Sequence, residues 1–373
     1  MPSTPRRTIV AMMDGLDMEY LETIEMPFFQ EMMNTGFFKE VSGVFPSVTN
    51  VNNVSIACGA WPKDHGISAN SYFDKAAMAP KYMNAAEMIT CPTLFERAKG
   101  KGVKSALLTS KKKTLELFHR DVEIGIAAEA PSDEVVRTYG TPPDIYSREI
   151  NYWLWQTAAA IIRERPDIGL LYVHITDYPM HAWGPAENES REHLQTLDRL
   201  IREAVEADPD AAFYATADHG MNYKKQCWDL FKVLEEHNLT PRFVLSPERD
   251  YYIVHHRNFT GCSWIWLKDP SDFDATADVL NTLDGVEEIL TWAQAAEQYH
   301  INPEHIGDLV VMGDKHTMFG QMDTAFEELP PTYRAHGSLH EMRLPLLIWN
   351  ERSQLPSKDL FQYNLNLTRH LYR

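Results

Sequence analysis

Acids and imidazoles stand where four short apolar runs end: Asp14 in Met12-Met13-Asp14-Gly15, Asp177 and His181 in Thr176-Asp177-Tyr178-Pro179-Met180-His181, Asp218 and His219 in Ala217-Asp218-His219-Gly220, and His336 in Ala335-His336-Gly337. Carboxylate oxygens and imidazole nitrogens together suit zinc or manganese, and a divalent ion takes three or four such ligands from separate segments. These side chains suffice for two ions. A single Asp at a strand end is ordinarily a helix cap, and a single His ordinarily hydrogen-bonds within the fold. Caps have no reason to repeat Asp-x-x-x-His and Asp-His-Gly at successive strand ends, so the four segments together point to metal binding.

A fifth segment, Phe45-Pro46-Ser47-Val48-Thr49-Asn50-Val51-Asn52-Asn53-Val54-Ser55-Ile56, sets a hydroxyl after a turn and ahead of an apolar helical stretch. Free N–H groups and the helix dipole favour an anion at a helix N-terminus, so a phosphoryl group bound there would face Thr49 as its nucleophile. An N-cap is the plainer use of the same threonine. In Thr109-Ser110-Lys111-Lys112-Lys113-Thr114 the lysine run is ordinarily exposed charge. If the segment is extended, side chains repeat every second residue, so Lys111 and Lys113 share a side and Lys112 faces away.

Elements that would position these groups follow from period and punctuation. Strands are expected at Thr8 to Met13, near Phe37 to Val41, at Val103 to Thr109, Ile168 to Thr176 and Ala212 to Thr216. Helices are expected at Met26 to Thr35, at Pro92 to Lys99 with proline in the first turn, at Ser147 to Arg165 and at Ser190 to Ala207. Alternating strands and helices imply an α/β fold with a mostly parallel sheet covered on both faces, and function at the carboxyl ends of its strands. From about Lys224 to Thr332 the texture changes to shorter pieces, with strands Tyr251 to Val254 and Ser263 to Leu267 and helices Ala275 to Leu283 and Trp292 to Gln298. The apolar run Leu344 to Trp349 then returns to the first sheet.

With 44% hydrophobic and 24% charged residues over 373 positions, the chain can bury a sizeable core. A net charge of -18 argues against a nucleic-acid surface, which needs a basic field. No run approaches the ~20 apolar residues of a membrane span. The N-terminal apolar run stops at Asp14, too soon for a signal-peptide core. The scattered Cys58, Cys91, Cys227 and Cys262 suggest neither disulfide framework nor thiolate metal site, and a reducing cytoplasm is expected.

The nucleophile segment, Thr49-Asn50-x-Asn52-Asn53-x-Ser55-Ile56-x-x-Gly59-x-x-Pro62-x-x-His65-Gly66-Ile67-x-x-Asn70, together with the four metal-type segments, resembles the alkaline phosphatase superfamily. Within it the segment is more similar to phosphonoacetate hydrolases than to nucleotide pyrophosphatase/phosphodiesterases. The resemblance covers nearly the whole chain. It implies an alkaline-phosphatase-like three-layer sandwich, with a catalytic core at 1–223 and 333–373 and an inserted smaller α+β cap at 224–332.

Residue by residue, it implies that Asp14, Thr49, Asp218 and His219 hold one ion and Asp177, His181 and His336 the other, Thr49 being also the nucleophile. Asn70, otherwise a turn residue, would donate to a phosphoryl oxygen. Lys111 and Lys113 match the family's Lys-x-Lys element, which binds the substrate carboxylate. The implied cofactors are two divalent ions, Zn2+ foremost, with Mn2+ or Fe2+ also acceptable. The implied reaction cleaves the carbon–phosphorus bond of phosphonoacetate, a small-molecule phosphonate, through a phospho-threonine intermediate. A homodimer is compatible with the resemblance. A phosphodiesterase or nucleotide pyrophosphatase is the alternative enzyme, and a metal-independent binding protein the non-enzymatic one. A sulfatase is disfavoured because Gly59-Ala60-Trp61 follows Cys58, without the Pro and Arg its modification motif requires.

Overall fold

The computed structural model describes residues 6–250 and 257–373. In chain order its main elements are β1 (Thr8–Met12), α1 (Pro27–Thr35), β2 (Phe37–Ser42), α2 (Thr49–Cys58), β3 (Lys104–Thr109), β4 (Ile124–Ala127), α3 (Glu149–Glu164), β5 (Ile168–His174), α4 (Asn188–Glu206) and β6 (Ala212–Thr216). There follow β7 (Phe243–Leu245), β8 (Cys262–Trp266), β9 (Val286–Thr291), β10 (Leu309–Gly313) and β11 (Arg343–Trp349).

A seven-stranded sheet runs in the order β2-β11-β6-β1-β5-β3-β4. Every neighbouring pair is parallel except the two that β11 makes, with β6 and β2. This is the expected mostly parallel α/β sheet, and the returning strand is β11. All residues of β1 and β5 are buried, as strands covered on both faces must be. On α3, Ile150, Leu154, Ala158 and Ile161 recur at helical spacing and are buried. Each large apolar side chain so buried contributes about 1.5–3 kcal/mol, and Leu154→Ala would cost roughly 2–5 kcal/mol. On α4, the stripe Leu194, Leu197, Ile201 and Val205 faces inward while Arg199–Glu203 and Arg202–Glu206 pair on the solvent side.

Several boundaries differ from the sequence reading. The helix expected from Pro92 spans Leu94–Gly100, because Thr93 caps it: its hydroxyl accepts from Glu96 N, and the Glu96 carboxylate accepts from Thr93 N at 2.8 Å. Pro92 therefore precedes the cap. The helix expected at Ala275 to Leu283 spans Phe273–Leu280. The edge strand β4 gave no signal, being four residues interrupted by Gly125, where a Cβ would lie 2.7 Å from Leu115. The strand expected at Tyr251 to Val254 lies outside the described residues.

Strands β7 to β10 form a second, antiparallel sheet in the order β7-β8-β10-β9. One apolar cluster under it includes Trp264, Trp266, Val310 and Met312 and also takes in Phe45, Ala69 and Phe73 from the N-terminal part of the chain. Among the described residues, no helix is long and apolar enough to cross a membrane.

Candidate active site

Strand register assembles the site. Thr109 of β3, His174 of β5, Met12 of β1 and Thr216 of β6 lie in one row across the sheet. Lys111, Asp14 and Asp218 each follow that row by two residues, and Asp177 follows it by three. Parallel neighbours end at the same edge, so acids distant in sequence must meet there. Gly15 permits the crowding: its φ is +77°, and a Cβ would lie 3.2 Å from Cβ of Asp177. Its N–H donates to Asp218 Oδ1 at 3.1 Å. His336 arrives on the two-residue strand Arg334–Ala335, paired with Asn222–Tyr223 just beyond the Asp218-His219 turn.

Thr49 is the first residue of α2, after an extended Val48, and caps nothing with its side chain. Its hydroxyl lies 3.1 Å from His219 Nε2. His219 Nε2 is also 3.5 Å from Asp14 Oδ1 and 3.4 Å from Asp218 Oδ2. His336 Nε2 is 3.7 Å from Asp177 Oδ2, and His181 Nε2 is 3.0 Å from the same oxygen. The His219 and His336 rings stack at 3.6 Å. Two donor sets lie within 4.8 Å: Asp14, Asp218 and His219; and Asp177, His219 and His336. The first holds the two acids and the histidine that the resemblance groups with Thr49. The second brings His219 where the sequence reading set His181, which stands alongside on Asp177. His219 thus lies between both groups.

The outer nitrogens fix the chemistry of this cluster. Nδ1 of His181 faces the carbonyl of Arg334 at 2.8 Å, that of His219 the carbonyl of Gly220 at 3.0 Å, and that of His336 the carbonyl of Ser47 at 2.8 Å. A carbonyl only accepts, so each Nδ1 carries the hydrogen, and in the neutral ring each Nε2 presents a lone pair toward the carboxylates. Asp14 Oδ1 and Asp218 Oδ2, both buried, accept no hydrogen bond among the described residues. These two oxygens, converging with the Nε2 lone pair of His219, fit a divalent cation.

Charge agrees with geometry. Burial, then the nearby Asp14, pushes Asp218 well above the usual carboxylate range. Burial pushes His219 and His336 down, keeping both rings neutral and able to ligate. Lys111 Nζ lies 3.1 Å from Asp14 Oδ2 and 3.3 Å from Asp177 Oδ1. Burial alone would lower its pKa, but Asp14, Asp177 and Asp218 hold it well above the ordinary lysine value.

The lysine segment is not extended. Lys111 is the extended N-cap of a helix, Lys112–Phe118, so Lys113 is on its first turn. Lys112 still faces solvent while Lys113 is buried, its Nζ 2.9 Å from Asp250 Oδ2. The two lysines therefore diverge, one to the acids of the sheet edge and the other to Asp250. Asn70 is buried, and its amide donates to the backbone and side chain of Glu248, at 3.2 and 3.0 Å.

Two residues beside the cluster escaped the sequence reading. Burial pushes Glu248 up to about 7. Its one sequence signal is the acid pair Glu248 and Asp250 opposite the lysine pair. His174, fully buried at the end of β5, places Nε2 3.2 Å from Asp14 Oδ2. A histidine closing an apolar strand that runs into Thr176-Asp177 was the available sign.

A parallel sheet with buried carboxylate and imidazole clusters around a hydroxyl at its carboxyl edge defines an α/β protein with a candidate two-cation centre. The chain belongs to the type I phosphodiesterase / nucleotide pyrophosphatase family, which it matches over residues 8–339. Its fold superposes on phosphonoacetate hydrolase from Sinorhizobium meliloti 1021, solved with phosphonoacetate, at a TM-score of 0.87 and 25% identity, covering 99% of this chain and 96% of that one. Murine ectonucleotide pyrophosphatase / phosphodiesterase 5 shares the fold at a TM-score of 0.67 and 18% identity, covering 92% and 88% of the two chains. A venom phosphodiesterase of Macrovipera lebetinus is 28% identical over 224 residues, covering 57% of this chain. The chain spans about a quarter of the length of the curated relatives it matches.

Proposed function

We propose that this protein is a metal-dependent hydrolase that cleaves the carbon–phosphorus bond of phosphonoacetate, giving acetate and phosphate. The observation that carries this reading is the pair of lysines just beyond the register row that supplies the acids, Lys111 partly buried among them and Lys113 buried. Cations there suit a substrate carrying a carboxylate beside its phosphoryl group. The likeness to a phosphonoacetate hydrolase over almost the entire chain supports it.

Asp14, Asp218, His219 and Thr49 would hold one divalent ion and Asp177, His181 and His336 the other, with His219 close to both groups. Two such ions, Zn2+ foremost and Mn2+ or Fe2+ by supply, neutralise phosphoryl charge and favour ionised oxygen. Thr49 Oγ1 forms the bond to phosphorus as the phosphorus–carbon bond breaks. The electron pair of that bond passes into the carboxymethyl group, which is a poor leaving group unless its charge reaches the carboxylate. Lys111 and Lys113 stabilise that enediolate-like charge, an effect of several kcal/mol in a preorganised site. Asn70 would exchange a hydrogen bond to Glu248 for one to a phosphoryl oxygen. The carbon takes a proton from water, the hydroxide left behind is neutralised by the proton that Thr49 gave up, and a second water hydrolyses phospho-Thr49 and returns its hydroxyl.

The test is turnover by Zn2+-loaded protein, read as phosphate released from phosphonoacetate and from an aryl phosphate monoester and as p-nitrophenol released from bis-p-nitrophenyl phosphate. Lys111→Ala with Lys113→Ala should lower phosphonoacetate turnover by on the order of 10²-fold or more while sparing the monoester, whose leaving group needs no cationic clamp. Equal losses on both would remove the carboxylate-binding role. A second reading, a phosphodiesterase or nucleotide pyrophosphatase, is favoured by the family match and by the named relatives. Faster turnover of the diester than of phosphonoacetate by the unaltered protein would establish it.

A further inference from the structure

We infer that His174 is a positioning residue that fixes the Asp14 carboxylate for one of the two cations and is not itself a ligand. The inference rests on the metal reading of the site. Three of the four imidazoles at the sheet edge point Nδ1 at a backbone carbonyl and so present Nε2 as a lone pair. His174 is oriented the other way. Its Nε2 lies 3.2 Å from Asp14 Oδ2, a contact that bonds only if Nε2 carries the hydrogen, since a carboxylate oxygen accepts. Nδ1 must then accept, and both groups beside it can donate: Thr109 Oγ1 at 3.1 Å and Asn53 Nδ2 at 3.2 Å.

Each donor is itself tied down. The Asn53 carbonyl oxygen accepts from Tyr172 OH at 2.7 Å, which turns the amide N–H₂ toward the ring. Thr109 Oγ1 accepts from Lys111 N at 3.2 Å, and its own hydrogen has His174 Nδ1 at 3.1 Å as a nearer acceptor than the Lys111 carbonyl at 3.5 Å. His174, Asn53 and Tyr172 are all fully or nearly fully buried, so water does not compete for these bonds.

The consequence is a division of labour within Asp14. Oδ2 receives His174 and Lys111, while Oδ1 accepts no hydrogen bond among the described residues and lies 3.5 Å from His219 Nε2. One oxygen is anchored and the other is presented to the donor set of Asp14, Asp218 and His219. Hydrogen bonds of this kind to a ligating carboxylate typically change metal affinity by 10- to 100-fold.

The experiment is Zn2+ binding to the full chain, by stoichiometry after dialysis and by competition with a chromophoric chelator, for the unaltered protein, H174L and H174Q. Gln can offer an amide N–H near the place of Nε2; Leu offers nothing. H174L should bind one of two ions roughly 10- to 100-fold more weakly, the other unchanged, with H174Q recovering most of the loss. Unaltered protein that takes up no Zn2+ ends the metal reading of the site. Unaltered protein and H174L that both bind two ions equally tightly end only the positioning role of His174. Should H174L not fold, H174Q is compared with the unaltered protein alone: affinities within tenfold support the inference, and loss of an ion overturns it. A crystal structure of the Zn2+-loaded protein supplies an independent reading: a Zn–Nε2 distance of about 2.0–2.1 Å at His174 would make it a ligand and overturn the positioning role.

Discussion

Two groups of fully buried charges lie close together in this molecule and are built in opposite ways. Lys224 and Glu341 pair at 2.8 Å with neither side chain exposed. The Glu341 carboxylate also accepts from Asn222 Nδ2 at 2.6 Å and from Ser338 N and Oγ at 2.9 and 2.7 Å. That group is neutral as a whole, and its acceptors are occupied. At the sheet edge Asp14, Asp177 and Asp218 gather equally deep, with Lys111 as the ammonium among them and with oxygens that no donor reaches among the described residues. Depth is the same, so burial does not separate a structural ion pair from a cation site; charge balance and hydrogen-bond saturation do.

The sharpest break in that comparison should come from the reactive side of the open cluster. Thr49→Ala should lower phosphate release from phosphonoacetate by on the order of 10³-fold or more while Zn2+ stoichiometry is kept, since the hydroxyl is the attacking group. A near-normal rate would remove covalent catalysis through Thr49. Next in size is the closed pair. Glu341→Gln leaves the Lys224 ammonium buried without a counter-charge and should cost about 3–5 kcal/mol in urea unfolding of the metal-free protein.

Asp218→Asn should do the reverse in the metal-free protein. Removing one of three repelling carboxylates should raise stability by roughly 1 kcal/mol while an equivalent of bound Zn2+ is lost. A variant as destabilised as Glu341→Gln would mean that the two groups are not different in kind. The smallest effect is one of pH. Lys224 and the hydrogen bonds at Glu341 overcome burial and hold its pKa below the ordinary value. A depressed carboxylate contributes stability that is present above its unfolded pKa of about 4.3 and is lost as pH falls through the folded value. The stability gap between unaltered protein and Glu341→Gln should therefore stay flat from pH 7 to 5 and narrow below about pH 4.

The parts legible in the sequence were those that repeat a pattern. Asp14, Asp177 and Asp218 each follow an apolar run, and parallel strands necessarily deliver such residues to one edge. The order β6-β1-β5 then settles which acids touch, and no local signal carries it. Lys113 illustrates a competing rule: alternation was the right guide to Lys112 facing solvent, but the segment turns helical at Lys112, so the partner of Lys113 is Asp250 rather than the cluster. His174 closes an apolar strand and Glu248 lies in a turn two residues from Asp250, signs that mark a polar group or an acid pair but not its partner. Their roles depend on neighbours far away in the chain. Asn70, expected from the resemblance to donate to a phosphoryl oxygen, has its amide engaged by Glu248, a partner that only the packing of distant segments determines.

Ser47 clasps the loop that follows β10 and precedes β11. Its carbonyl accepts from His336, its hydroxyl donates to the Ser338 carbonyl at 2.6 Å, and the Gly337 N–H donates to that hydroxyl at 3.1 Å. During synthesis the threonine segment thus leaves the ribosome long before the strand that completes its surroundings. A nascent chain halted short of Gly337 would display its acids without the clasp, and activity should emerge abruptly with chain length rather than grow with it.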